Sequence, residues 1–143
     1  MNLIERTQFA MENFMSFNPE KTKTGQRCYF NITPFPSPSF SHCQWDDGDC
    51  TSRALDNWLF AREITGDVVT GKEIESGQLE YLKNLIDPET GLCFVGDHSR
   101  PNTDGYYFHM WDQGRVLKHL ISRCIIKGED LEMLSELIKK IID

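Results

Sequence analysis

The stretch WDDGDCTSRALDNWLFAREITGD, residues 45–67, decides how this chain folds. It opens with acids beside a tryptophan, continues with apolar residues three and four positions apart, and ends on a Gly-Asp pair. A shift of 62 positions lays it on residues 107–129 and brings Arg53 onto Arg115. A helix that recurs at a fixed period is typical of helical-repeat proteins. The echo predicts two equivalent helices, each entered through an acidic, aromatic loop.

Apolar periodicity predicts five helices, and turn residues separate them. The predicted spans are about 3–17, 51–64, 71–86, 112–126 and 129 to the end of the stripe near 141. The apolar stripes of the last two helices include Ile121, Ile125 and Leu131. Short runs at 28–32 and 92–95 fit strands, and Asp-Pro-Glu-Thr-Gly at 87–91 predicts a turn. Because the links within the second–third and fourth–fifth pairs are short, we expect two antiparallel hairpins.

Charge and composition exclude several classes of function. Fifteen Lys and Arg against 22 Asp and Glu give a net charge of −7, with no basic stripe for nucleic acid or an anionic membrane. No apolar run approaches the roughly 20 residues that span a bilayer. Five irregularly spaced cysteines indicate a reducing, cytoplasmic setting rather than a disulfide framework. No phosphate-binding glycine loop is present, so no cofactor is expected.

The number of hairpins is low for a repeat protein, which needs about three neighbouring units to bury their faces. We therefore expect residues 1–143 to form a single domain that is part of a larger helical array. The remaining hairpins of that array would be a partner of this chain.

Three phrases within residues 44–143 resemble the (α/α) toroid superfamily of six-hairpin, glycosidase-like proteins. They are 45–49 before a helix, Ile-Thr-Gly-Asp at 64–67, and Asp-Pro-Glu-Thr-Gly-Leu at 87–92. The resemblance implies an all-α fold, an incomplete toroid of helical hairpins with long inter-hairpin loops. It also implies a carbohydrate-active, glycoside hydrolase-like domain that cleaves a sugar or oligosaccharide in a cleft lined by the loops 42–50 and 96–112.

Asp46, Asp47 and Asp49 are the candidate catalytic residues. Glycoside cleavage needs two carboxyl groups, one donating a proton and one acting as base or nucleophile. Crowding like charges raises at least one pKa, which suits the proton donor. The alternative is that these aspartates cap the following helix and turn the chain at Gly48.

A second group supplies candidate substrate-binding residues, with aromatic platforms and polar contacts for a sugar. Its members are Trp45, His98, Arg100, Tyr107, His109, Trp111 and Asp112. The alternative is that the aromatics plug the hairpin ends, while Asp112 caps the fourth helix or pairs with Arg115. Because Arg53 repeats Arg115, both arginines are interpreted as scaffold.

Two other functions stay open. One is a non-catalytic helical-repeat module that binds a protein on the same loop face. The other follows from Asp47, Asp49 and Thr51, which resemble the Asp-x-Asp-Asp-Thr-Ala motif of class II terpenoid cyclases, with Cys50 in place of the third acid. That resemblance implies Asp49 as proton donor. No metal site is predicted, because no Cys-x-x-Cys pair accompanies the histidines.

Overall fold

A computed structural model describes residues 1–16, 31–33, 36–37, 39–41, 46–66, 68–95 and 107–142. The α-helices are α1 (Leu3–Ser16), α2 (Thr51–Thr65), α3 (Lys72–Asn84), α4 (Met110–Lys127) and α5 (Leu131–Ile142). The strands are β1 (Asn31–Thr33), β2 (Ser39–Ser41), β3 (Phe94–Val95) and β4 (Tyr107–Phe108), and a π-helical turn covers Asp46–Cys50. The fold is all-α, as predicted, and the short strands lie in the connections between helices.

The strands form two antiparallel pairs. In the first, β1 and β2 place Ile32 opposite Phe40. In the second, β3 and β4 place Phe94 opposite Phe108. The second pair confirms the strand predicted at 92–95 and joins the end of one hairpin to the start of the next.

Helix α2 lies at the centre of the described structure and contacts α1, α3 and α4. Its predicted apolar stripe is confirmed, with Leu55, Trp58 and Leu59 buried. The Trp58 indole Nε1 donates a hydrogen bond to Gln78 Oε1 at 3.0 Å, which satisfies two buried polar groups at once. Gly71 passes so close that a Cβ there would lie 2.5 Å from the Trp58 ring. The tryptophan thus fixes the link between α2 and α3.

Helices α2 and α3 are antiparallel, as the short link predicts. Trp58 bonds to Gln78, whereas Arg62, one turn later on α2, donates to Glu75 Oε2 at 2.6 Å. A later residue of α2 therefore contacts an earlier residue of α3, which means that the two helices run in opposite directions. The link begins at Gly66, whose left-handed φ of 64° ends α2 as its position in the sequence predicts.

Helices α2 and α4 lie side by side and run parallel. Asp49 pairs with Arg115, Asp56 with Lys118, and, further on, Glu63 with Lys127 at 3.0 Å. Asp56 and Lys118 are 62 positions apart, which is the shift of the sequence echo. Equivalent helices of successive hairpins therefore pack against each other, with their N-terminal ends together.

The buried face of α4 differs from the predicted apolar stripe. Ile121 and Ile125, expected inside, are 42% and 78% exposed, whereas His119 and Arg123 are buried. The reason is that α4 faces acidic partners, Asp56 on α2 and Asp130 before α5, so polar side chains take the inward positions. Leu131, also expected inside, is exposed at the start of α5.

Candidate functional site

Two helix starts converge on one buried acidic cluster. The π-helical turn before α2 carries Asp47 and Asp49, and the first turn of α4 carries Asp112. Gly48 lies against Asp112 so closely that a Cβ at Gly48 would be 2.7 Å from the Asp112 Cβ. Asp47 and Asp112 are completely buried, and Asp49 is nearly so. Positive helix N-termini favour carboxylates at this end of the α2–α4 pair.

Asp49 is held between two arginines. The Arg53 Nε donates to its Oδ1 at 2.7 Å, and Arg53 Nη2 to its Oδ2 at 3.3 Å. The Arg115 Nε lies 3.3 Å from the same Oδ1. The hydrogen bond to Asp49 raises the pKa of Arg53. The two arginines matched by the sequence echo thus meet on one carboxylate, and Arg115 pairs with Asp49 rather than with Asp112.

None of the three aspartates stands at the N-cap position of α2 or α4. Cys50 stands at the N-cap of α2 and His109 at the N-cap of α4, and neither side chain makes a capping hydrogen bond. The π-helical turn continues α2 backwards, so the first amide groups meet backbone carbonyls rather than a side chain. π-Helical turns within helices are frequent at functional sites.

Behind the carboxylates lie a phenol and a thiol. The Tyr81 hydroxyl of α3 donates a hydrogen bond to Asp47 Oδ1. Burial, followed by the charges of Asp112 and Asp47, raises the pKa of the Cys93 thiol, which is therefore protonated at neutral pH. The Cys93 amide donates to Gln113 Oε1 at 2.6 Å. This hydrogen bond connects the residue before β3 to α4, next to the acidic residues.

The solvent side of the cluster is aromatic and cationic. Trp111 is 52% exposed, and the Arg115 guanidinium lies 5.2 Å from the centre of its ring. Phe108 and Met110 are also exposed on either side of the half-buried His109. A flat apolar surface of this kind is suited to stack on the face of a ligand.

The structure places Asp47, Asp49 and Asp112 on two helix starts that touch at Gly48, and Trp111 and His109 lie beside Asp112 on the second of them. The backbones of Asp46 and Tyr107 lie in the π-helical turn and in β4, but their side chains are not described. Trp45, His98 and Arg100 lie outside the described residues, as does most of the 96–112 loop.

Sequence reasoning missed a buried polar contact midway along α2 and α4. His119, fully buried, makes a hydrogen bond through Nδ1 to Asp56 Oδ1 at 2.9 Å, and Lys118 donates to Asp56 Oδ2. Burial alone would raise the pKa of Asp56, but the bonds from His119 and Lys118 lower it below its usual range. One signal was available, because His119 falls three positions after Val116 on the buried stripe.

Among the residues that the structure describes, no three His, Cys, Asp or Glu side chains are grouped so as to hold a metal ion. No described helix is both long and apolar enough to cross a bilayer. Comparison of the chain with models of protein families, with curated proteins and with solved structures finds no match. Function is therefore inferred from the geometry of the site.

Proposed function

We propose that this chain belongs to a carbohydrate-active protein of the (α/α) toroid type, and that its acidic cluster cleaves a glycan by acid/base chemistry. The observation that carries the proposal is the meeting of Asp47 and Asp49 from one helix start with Asp112 from the next. Acid/base cleavage of a glycan requires paired carboxyl groups, and two acidic helix starts that meet at one place can supply them.

We assign catalytic roles to the three aspartates from the surroundings of each side chain. Glycosidases use two carboxyl groups in unequal surroundings, one protonated and one ionised. Asp49 accepts hydrogen bonds from Arg53 and lies beside Arg115, and we assign it to the base or nucleophile. Asp47 and Asp112, both completely buried, are the remaining candidates for the proton donor.

The proposal also covers substrate binding, the helical architecture and the cellular location. Trp111 supplies a platform for one sugar ring, and further hairpins of the ring close the cleft over it. The parallel packing of α2 and α4 supports this architecture, because a ring of hairpins needs its equivalent helices side by side. Among the described residues, Cys93 and Cys124 carry free thiols, which is consistent with a reducing, cytoplasmic location.

The test is turnover on a panel of oligosaccharides, read as release of reducing ends. Asp49→Asn and Asp112→Asn keep the side-chain shape but remove the carboxyl group. We expect each to lower kcat at least about 100-fold, in line with the loss of an acid or base. Glu132→Gln, an exposed change on α5, is the control and leaves kcat unchanged. Wild-type rates in the Asp49 and Asp112 variants, with wild-type melting curves, contradict the proposal.

A non-catalytic helical-repeat module is the second candidate. The observation that favours it is an apolar surface of Phe60 and Ile64 on α2 with Ile121 and Ile125 on α4, all exposed. Absence of turnover on every glycan, together with partner binding that the aspartate variants leave intact, selects this module. The ion pairs of Asp49 weigh against the cyclase-like role, because a proton donor has to be neutral before it reacts.

A further inference from the structure

We infer that Arg53 and Arg115 form an anion-binding subsite and that the glycan bound there carries a carboxylate, as a uronic acid residue does. This inference rests on the proposed function and narrows its substrate class. Arg53 and Arg115 come from the two equivalent helices, and they meet over Asp49.

The two guanidinium groups are more exposed to solvent than the carboxylate that they share. The side chain of Asp49 is 9% exposed, whereas those of Arg53 and Arg115 are 52% and 35% exposed. One carboxylate cannot neutralise two guanidinium groups. Each guanidinium carries five N–H donors, and Asp49 receives two hydrogen bonds from Arg53. The N–H groups of Arg53 and Arg115 that do not bind Asp49 are then available to solvent or to a ligand.

Arg115 is held ready for a planar anion. Its guanidinium lies over the Trp111 ring, 5.2 Å from the centre, while its Nε faces Asp49 at 3.3 Å. Contacts on two sides restrict the orientation of the group, so little side-chain entropy is lost when a ligand binds. A guanidinium fork matches a carboxylate through two parallel hydrogen bonds. Exposed Trp111 lies where the ring that bears the carboxylate would stack.

The other two acids lie deeper than the two arginines. Asp47 accepts a hydrogen bond from the Tyr81 hydroxyl. Asp47 and Asp112 are both completely buried, at the N-terminal ends of α2 and α4. The positive ends of those helices offset charge at this place. A ligand carboxylate on the solvent side of Asp49 meets the two arginines first. A neutral sugar cannot bind the outer N–H donors of Arg53 and Arg115, which stay hydrogen-bonded to water. The subsite therefore selects against a neutral sugar.

The experiment is calorimetric titration of the full chain with paired probes. The acidic probes are trigalacturonate and triglucuronate, and the neutral probes are the same trisaccharides with each carboxyl group reduced to an alcohol. We expect an acidic probe to bind about 10-fold or more tightly than its neutral counterpart, as charge-assisted hydrogen bonds imply. The preference should shrink in 0.5 M salt, because these side chains are partly exposed.

The variants are Arg53→Gln, Arg115→Gln and Arg115→Lys, with Arg6→Gln, on the exposed face of α1, as the matched control. Either glutamine variant should reduce the acid-to-neutral ratio to about one without changing the binding of the neutral probe more than twofold. Arg115→Lys keeps the charge but loses the fork, so part of the preference remains. Arg6→Gln should behave as wild type.

Two results overturn the inference in different ways. Equal binding of acidic and neutral probes rejects the carboxylate subsite while the proposed glycan function stands. Absence of binding by every probe, in a chain with a native melting curve, rejects both. Retention of the preference in both glutamine variants would show that other residues recognise the carboxylate, and it too rejects the assignment.

Discussion

The two ends of the α2–α4 pair use charge differently. At the C-terminal end the structure describes several pairs of opposite charge: Glu63 pairs with Lys127 at 3.0 Å, and Asp130 accepts from Arg123 at 2.9 Å and Lys83 at 2.7 Å. At the N-terminal end three carboxylates gather, and two of them are completely buried.

We propose that this difference separates scaffold from site. Paired charges near a surface add little stability and tolerate change. Buried carboxylates cost stability unless partners compensate them, and they are concentrated where chemistry needs them. We therefore expect mutations at the C-terminal end to change stability slightly, and mutations at the N-terminal end to affect packing or activity strongly.

The largest structural effect is expected for Gly48→Ala. The new Cβ would lie 2.7 Å from the Asp112 Cβ, so one of the two helix starts has to move. Overpacking of this kind costs about 3 kcal/mol of unfolding free energy. Urea denaturation measures it.

Gly114→Ala is the matched control for this substitution. Nothing lies within 4 Å of a Cβ at Gly114, which is inside α4. Alanine there should stabilise the protein by about 0.5–1 kcal/mol, because glycine disfavours a helix interior. Equal effects at the two glycines would show that the helix starts are not in close contact.

A smaller effect is expected for Asp56→Asn, midway between the two ends. The change removes a charge-assisted bond to buried His119 and the pair with Lys118, at a cost of about 2 kcal/mol at pH 7. The folded-state pKa of Asp56 lies below its unfolded value. Its contribution is therefore fully present above about pH 4 and is lost as the pH falls through the folded pKa.

Urea titrations between pH 2 and pH 7 measure that dependence. The wild type should lose more stability on acidification than Asp56→Asn does. The variant keeps a residual acid loss, because hydrogen bonds from Lys83 and Arg123 also lower the pKa of Asp130, against the opposing effect of burial. Identical acid profiles would contradict the role given to Asp56.

The smallest effect is expected for Lys127→Ala. Its pair with Glu63 is partly exposed on both sides, so the change in unfolding free energy should stay below about 0.5 kcal/mol. Thermal melting in low and high salt measures it. A loss of several kcal/mol would mean that the C-terminal end bears more of the packing than its exposure indicates.

The sequence predicts the helices well, because each carries a local signal. The stripe of Leu55, Trp58 and Leu59 and the stop at Gly66 place α2 within a residue or two of its observed ends. The echo also predicts that α2 and α4 are equivalent. Periodicity alone did not predict that the two helices face each other through Asp56 and His119. An inward polar residue is indistinguishable from a solvent-facing one until its partner is known.

The site is predictable only in part for the same reason. Asp47, Asp49, Asp112 and Trp111 attract attention as local clusters of acids and aromatics. Tyr81 and Cys93 reach the site through tertiary packing, 34 positions after Asp47 in the case of Tyr81. No pattern along the chain marks such residues.

The most direct test compares Asp49→Asn with Asp130→Asn in one glycan turnover and unfolding assay. Asparagine tolerates the left-handed φ of 63° at Asp130, so that variant loses only its ion pairs. The account predicts that Asp49→Asn lowers kcat at least about 100-fold and unfolding free energy by less than about 1 kcal/mol. Asp130→Asn should lower stability by about 1 kcal/mol and leave kcat unchanged. Turnover by Asp49→Asn within about threefold of wild type would contradict the central claim that the buried acidic end is catalytic.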